Sequence, residues 1–222
     1  MNQEKSKNVK NVVIAGASGM IGNLVLEHCL SSSEIAQVVS LVRKKTNNTH
    51  PKLKEILIED FKEYSSHTFE DITIAFFCIG VYTGQVPDKL FKEITVDYAV
   101  AFAKAVQKTN PSATLCLLSG AGADRTEKSR TSFARYKGMA ENQISELGLE
   151  FYTFRPGYIY PVTPRKEPNL MYKIMRWMYP LFRLAGPSSS IKSTELAQAM
   201  FTIGLQGAKS EILENKDILN YG

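Results

Sequence analysis

Val12-Val13-Ile14-Ala15-Gly16-Ala17-Ser18-Gly19-Met20-Ile21-Gly22 is the stretch on which the fold turns. A short β-branched run ends in glycine, and apolar residues then recur at Met20, Ile21, Leu24, Val25, Leu26, Cys29 and Leu30. The first pattern is that of a buried strand and the second that of a helix. Gly16, Gly19 and Gly22 therefore lie between a strand and a helix, the setting in which a glycine triplet has a physical use. One small residue permits the tight turn, another lets backbone approach a pyrophosphate, and a third lets helix pack on strand. The helix N-terminus would offer free N–H groups and a positive dipole end to the phosphates. Ser18, Met20 and Ile21 join the three glycines as candidate dinucleotide-binding residues. The bland alternative is a tight turn with no ligand.

Outward from this turn, strand and helix alternate. Strands are expected at Val38–Val42, within Leu53–Ile58, at Ile72–Cys78, at Ala113–Leu118 and at Leu149–Phe154. Helices are expected at Pro87–Lys108, with Ala99, Ala101, Ala103 and Ala105 on its inner face, and at Phe133–Leu147, stopped by Gly148. Thr194–Leu205 reads as a further helix with Ser193 as N-cap, and Asp217–Tyr221 as a last strand. Such alternation with apolar strands implies an α/β fold, a doubly wound parallel sheet in a single domain. Right-handed crossovers then put a ligand at the carboxyl ends of the strands, where strand order reverses.

Size and composition agree. The chain has 222 residues, 44% of them hydrophobic, enough for one substantial core and short for two. Residues 1–10 are polar and lysine-rich and read as a flexible tail, neither signal peptide nor membrane anchor; residues 11–222 read as one domain. Cys29, Cys78 and Cys116 fall in apolar periodic segments and read as buried thiols of a reduced, cytoplasmic protein. His28, His50 and His67 lie in unrelated contexts, so no metal site is expected. The net charge of +5 resides in residues 161–192, where six basic residues face one acid. No nucleic-acid motif accompanies that patch.

The glycine spacing G-x-x-G-x-x-G, together with later segments, resembles the short-chain dehydrogenase/reductase superfamily of Rossmann-type, NAD(P)-binding proteins, in its atypical branch. The likeness covers nearly the whole chain. Cys78-Ile79-Gly80 sits where the family has its glycine after the fourth strand, Leu117-Leu118-Ser119 matches the fifth strand with its serine, and Arg155-Pro156-Gly157 matches the turn against the nicotinamide. Val96-Asp97-Tyr98, Leu118-Ser119-Gly120-Ala121-Gly122-Ala123-Asp124, Lys137-Gly138 and Phe154-Arg155-Pro156-Gly157 look like the Tat-interacting-protein subgroup. The resemblance implies cofactor contacts at Cys78, Ile79, Gly80, Lys137, Pro156 and Gly157. It implies further ones at Asp60 and Phe61, where the family's carboxylate bonds the adenine amino group; a surface loop acid is the alternative for Asp60.

An NAD-specific site usually carries an acid about twenty residues past the glycines. Here the second strand ends in Leu41-Val42-Arg43-Lys44-Lys45, without an acid. A guanidinium can grip a 2′-phosphate in a bidentate fork, so Arg43 points to NADP(H) rather than NAD(H). A solvated basic turn is the other reading.

The family's chemistry needs a tyrosine as proton donor, a lysine four residues later that holds the ribose and lowers the phenol's pKa, and a serine that polarises the carbonyl. Ser119 and Lys137 are present, but Phe133 stands in the tyrosine's place. Three readings stay open: Tyr136 substitutes from the same helix; another group or water supplies the proton; or hydride transfer is lost and cofactor occupancy serves as a signal or a structural staple. The sequence thus suggests an NADP(H)-binding regulatory or sensor protein, with an active NADPH-dependent reductase of a small carbonyl or conjugated substrate as the rival. Beyond the cofactor, the partner is an unknown small molecule or protein, and the chain is a monomer or a homodimer.

Leu170–Leu184 (LMYKIMRWMYPLFRL) combines apolar and aromatic residues with Lys173, Arg176 and Arg183. Three cations and Pro180 exclude a membrane span. Within 161–192 it reads as a substrate-side lid, an interface or a membrane-surface helix.

Overall fold

The computed structural model describes residues 9–64, 69, 71–162 and 189–222. Seven strands form one sheet: β1 (Lys10–Ala15), β2 (Ile35–Val42), β3 (Leu53–Leu57), β4 (Ile74–Phe77), β5 (Thr114–Leu118), β6 (Glu150–Arg155) and β9 (Ile212–Glu214). Their order is β3-β2-β1-β4-β5-β6-β9, and every pairing is parallel. The doubly wound sheet expected from the alternation is therefore present. β1 pairs Ala15 with Leu41 of β2 on one side and with Phe77 of β4 on the other. Strand order reverses between β1 and β4, which opens a crevice at their carboxyl ends.

Two apolar layers cover the sheet. On one face, α1 (Met20–Ser31) and α5 (Ser193–Gln206) pack with Val12, Ile14, Ile74, Phe76, Cys116 and Phe154. On the other lie α3 (Tyr98–Thr109) and α4 (Ser132–Ser145), over Val13, Ala75, Phe77, Leu115 and Leu117. Successive strand residues thus feed opposite layers, as the pleat demands. Ala99 and Ala103 are fully buried on α3, as the alanine pattern predicted, whereas Ala101 and Ala105 are only half-buried against the core. The long helix is less uniform than its pattern: α2 (Asp88–Lys92) passes through a π-helical turn at Glu93–Asp97 before α3.

Three boundaries correct the sequence reading. β1 begins at Lys10, whose N–H donates to Glu34, so the strand takes in the end of the expected tail. Lys192, not Ser193, is the N-cap of α5; Glu195 binds both its backbone N–H and its ammonium, while the Ser193 hydroxyl accepts from Val162. The last strand is Ile212–Glu214 rather than Asp217–Tyr221. Asp217 accepts from the Glu214 N–H in a reciprocal cap, which turns the chain into α6 (Asn215–Ile218). A small parallel pair, β7 (Tyr158–Tyr160) with β8 (Ser190–Lys192), forms a second, two-stranded sheet. The segment 170–184 lies outside the described residues.

Candidate functional site

The glycine turn is built from backbone. Gly16 has φ +92°, and a Cβ there would lie 2.7 Å from the Cys78 carbonyl carbon at the end of β4. A Cβ on Gly22 would lie 2.2 Å from the Gly16 oxygen, so α1 can approach the turn only without a side chain at that point. These are the tight turn and the close helix–strand packing that the spacing called for. Gly19 caps α1 without any side-chain hydrogen bond, and no acid occupies the first turn. The first N–H groups of α1 therefore keep their capacity to bind an anion.

The turn opens onto a cleft of about 670 Å³ at the carboxyl ends of β1, β4, β5 and β6. Gly19, Met20 and Ile21 line it at one end, Cys78, Ile79 and Gly80 along one wall, and Ser119, Phe133, Lys137, Pro156 and Gly157 at the other end. These residues, from five separate segments, thus meet at one cavity. The remaining lining includes Val81, Tyr82, Leu118, Tyr158 and Ile159, which the sequence reading missed. Each ends an expected strand or lies within five residues after one, which is the signal that could have found them.

Other expected site residues stand elsewhere. Gly16, Ser18 and Gly22 belong to the turn itself and not to the cleft wall. Arg43 is exposed just past β2, at the same carboxyl edge as the glycine turn, and has no acidic partner among the described residues. Asp60 sits after β3 with its carboxylate bound to the Lys62 N–H and paired with the Lys62 ammonium at 3.8 Å. The Phe61 ring is buried against Tyr64 and Tyr98, so its side chain is core. Cys78 meets the cleft, but burial pushes its thiol up to about 12, which leaves it protonated and unreactive.

The β5–α4 end of the cleft carries the largest correction. Tyr136 does not line the cleft: it is buried, its ring lies tilted against Phe91 of α2, and it donates to Asp88 at 2.6 Å. A helix turns by about 100° per residue, so a position one short of Lys137 points to a different neighbour. Tyr136 is therefore not among the residues that meet the cleft, contrary to the reading in which it serves there as proton donor. Phe133 is the aromatic residue of α4 that reaches the cleft, and a Cβ on Gly120 would meet its Cζ at 2.5 Å.

Lys137 does reach the cleft and donates to the Leu118 carbonyl at 3.1 Å. Desolvation lowers its pKa to about 8, against the opposing pull of Glu141 and Cys78. Ser119 donates its hydroxyl to Glu141 at 2.6 Å. Glu141 is fully buried and also accepts from Thr153, Arg125 and Arg155. Burial alone would raise its carboxyl, but hydrogen bonds from Arg155, Ser119 and Arg125 prevail and hold it below the usual range. Arg125 continues to Glu211 and Arg155 to Glu214, so one ionic network ties β5, α4, β6 and β9 together. Sequence reading missed this network. Among the described residues no group of His, Cys, Asp and Glu is arranged to hold a metal, and no helix is long and apolar enough to cross a membrane.

No protein-family model matches the chain. Protein HTATIP2 of Rattus norvegicus is 25% identical over 228 residues, which cover 96% of this chain and 89% of that protein. Protein fmp52, mitochondrial, of Aspergillus niger is also 25% identical, over 242 residues covering 96% and 98%. In fold, the chain is similar to Gre2 of Candida albicans in complex with NADPH, with a TM-score of 0.68 and 14% identity over 92% of this chain and 77% of that one. It is equally similar to WbmF of Bordetella bronchiseptica in complex with NAD+, with a TM-score of 0.68 and 12% identity over 97% and 78%. The chain thus has a Rossmann fold, and its resemblance to the atypical short-chain dehydrogenase/reductases, with the Tat-interacting protein among its relatives, extends over nearly its full length.

Proposed function

We propose that the cleft binds a nicotinamide dinucleotide, NADP(H) in preference to NAD(H), and that the protein works as a cofactor-dependent regulator or sensor rather than as a tyrosine-dependent reductase. The observation that carries the binding half is the glycine turn, where backbone closeness at Gly16 and Gly22 leaves an uncapped helix N-terminus at the cleft. Solved proteins of the same fold hold NADPH or NAD+. In this reading the α1 N-terminus takes the pyrophosphate, Arg43 the 2′-phosphate, Asp60 the adenine, Lys137 a ribose, and Pro156-Gly157 flank the nicotinamide. The bound cofactor would supply a hydride donor or acceptor. Phe133, with no proton to exchange, argues against the family's carbonyl reduction.

Calorimetric titration tests this: NADPH binds more tightly than NADH, and Arg43→Ala removes the difference. Equal affinities in the wild type would refute the NADP(H) preference. The second reading, an active NADPH-dependent reductase of a small carbonyl or conjugated substrate, draws on Ser119 and Lys137 both meeting the cleft, with bound water as the proton source. Three buried thiols, free of disulfides, fit a reducing compartment, and the cytoplasm is the location we assign.

A further inference from the structure

The hydrogen-bond polarity of Ser119 is set from behind. Glu141 accepts from the Ser119 hydroxyl, from Thr153, from the Nε and a terminal nitrogen of Arg155, and from the Nε of Arg125. A carboxylate has about four lone-pair positions, and five donors converge on these two oxygens. It sits at 0% exposure between two guanidinium groups, so it has no reason to take up a proton. The single hydroxyl proton of Ser119 is therefore committed to Glu141. What the hydroxyl retains for the cleft is its lone pairs. Lys137, beside it on the same wall, is a donor whose ammonium already reaches the neighbouring Leu118 carbonyl.

We infer that Glu141 fixes Ser119 as a hydrogen-bond acceptor, so that the cleft's reacting end selects a ligand group that both donates and accepts, a hydroxyl or a primary amide, over a ketone or aldehyde, which only accepts. This deepens the dinucleotide reading and rests on it for calling this end the reacting end. Glu141 acts here as a positioning residue: it touches no ligand, and its effect is transmitted through one proton. Ser119 Oγ takes the ligand's donated hydrogen while Lys137 supplies the opposing donor. Phe133 completes the pocket as an apolar face that adds neither.

The probes are benzamide and acetophenone, which share one skeleton and differ by an amino group against a methyl. Neither can take hydride from NADP+. Both are titrated calorimetrically into the protein loaded with NADP+ and into the cofactor-free protein. The expected result is benzamide tighter by about three- to tenfold, the range for one net hydrogen bond, and no preference in Ser119→Ala. Glu141→Gln, with its amide nitrogen turned toward Ser119, releases the hydroxyl proton and shifts the preference toward acetophenone. Where that variant does not fold, Ser119→Ala carries the test. Its folding is checked by thermal melting. Equal binding, no benzamide binding, or a preference that survives Ser119→Ala overturns the inference. Failure of NADP+ itself to bind refutes the cofactor reading instead, and the titrations on free protein still decide the polarity of Ser119.

Discussion

The two ends of the cleft are made of different material. At the β1–α1 end, closeness of backbone does the shaping, and at Gly16 and Gly22 a side chain would collide. At the β5–α4 end, side chains do it: Ser119, Phe133 and Lys137 face the cavity while Glu141, Arg125 and Arg155 hold them from behind. An end built from backbone loses its function only where an added atom disturbs the backbone itself. An end built from side chains can keep its whole scaffold and still lose the single atom that chemistry requires. In the proposed account that atom is the phenolic oxygen absent from Phe133.

The comparison can be broken most severely at Gly22. Gly22→Ala puts a Cβ against the Gly16 oxygen, backbone against backbone with no flexible group to give way. We expect loss of dinucleotide binding in calorimetry together with a marked fall in melting temperature; wild-type affinity would show that the turn is not the pyrophosphate site. Next comes Glu141→Ala, which leaves two guanidinium groups without their buried partner. Breaking a buried pair costs about 3–5 kcal/mol, and for a chain of this size about 2–4 °C per kcal/mol follows, so melting should drop by roughly 10 °C. A drop of only a degree or two would mean that the network is ornamental.

Arg43→Ala is milder and confined to the other end. Loss of a charge-assisted hydrogen bond, about 1.5–3 kcal/mol, lowers NADPH affinity roughly ten- to a hundredfold while NADH affinity stays constant. An equal loss for both cofactors would mean that Arg43 does not read the 2′-phosphate. The smallest effect is that of pH. Lys137 has a pKa lowered to about 8 by desolvation. Contact with ribose oxygens and nearby phosphates favours its charged form and raises that value on binding. Affinity should therefore be level below pH 8, where the lysine is charged in both states, and fall as pH rises above 8, where the free protein has shed the proton. Lys137→Met should bind more weakly at neutral pH and lose this dependence; a rise in affinity with pH would reverse the assignment.

Legibility in the sequence follows the same division. The glycine turn and the alternating elements, and with them the parallel character of the sheet, could be read because each depends on patterns within a few residues. Lys137 and Phe133 could be read because both lie four apart on one helix. Tyr136 was misplaced because helical adjacency says nothing about which packed element a side chain meets, and it meets Asp88 of α2. The Glu141 network was invisible because its partners Arg125 and Glu211 are separated by 86 positions and meet only across the finished sheet. One signal was present. Glu141 lies one helical turn past Lys137, on the side of α4 that carries buried Ala134, Gly138 and Ile144, where an acid demands partners. The C-terminal strand failed for a local reason: Glu214 and Asp217 cap each other, and reciprocal capping outweighs a weak strand pattern.

The proposed division between a binding end and a reacting end that lacks its proton donor meets its most direct test in NADPH oxidation by the wild-type protein, measured at saturating cofactor across a panel of carbonyls and quinones, with Phe133→Tyr alongside. The account predicts background oxidation in the wild type and measurable turnover in Phe133→Tyr. Brisk oxidation by the wild type, undiminished relative to Phe133→Tyr, would contradict it.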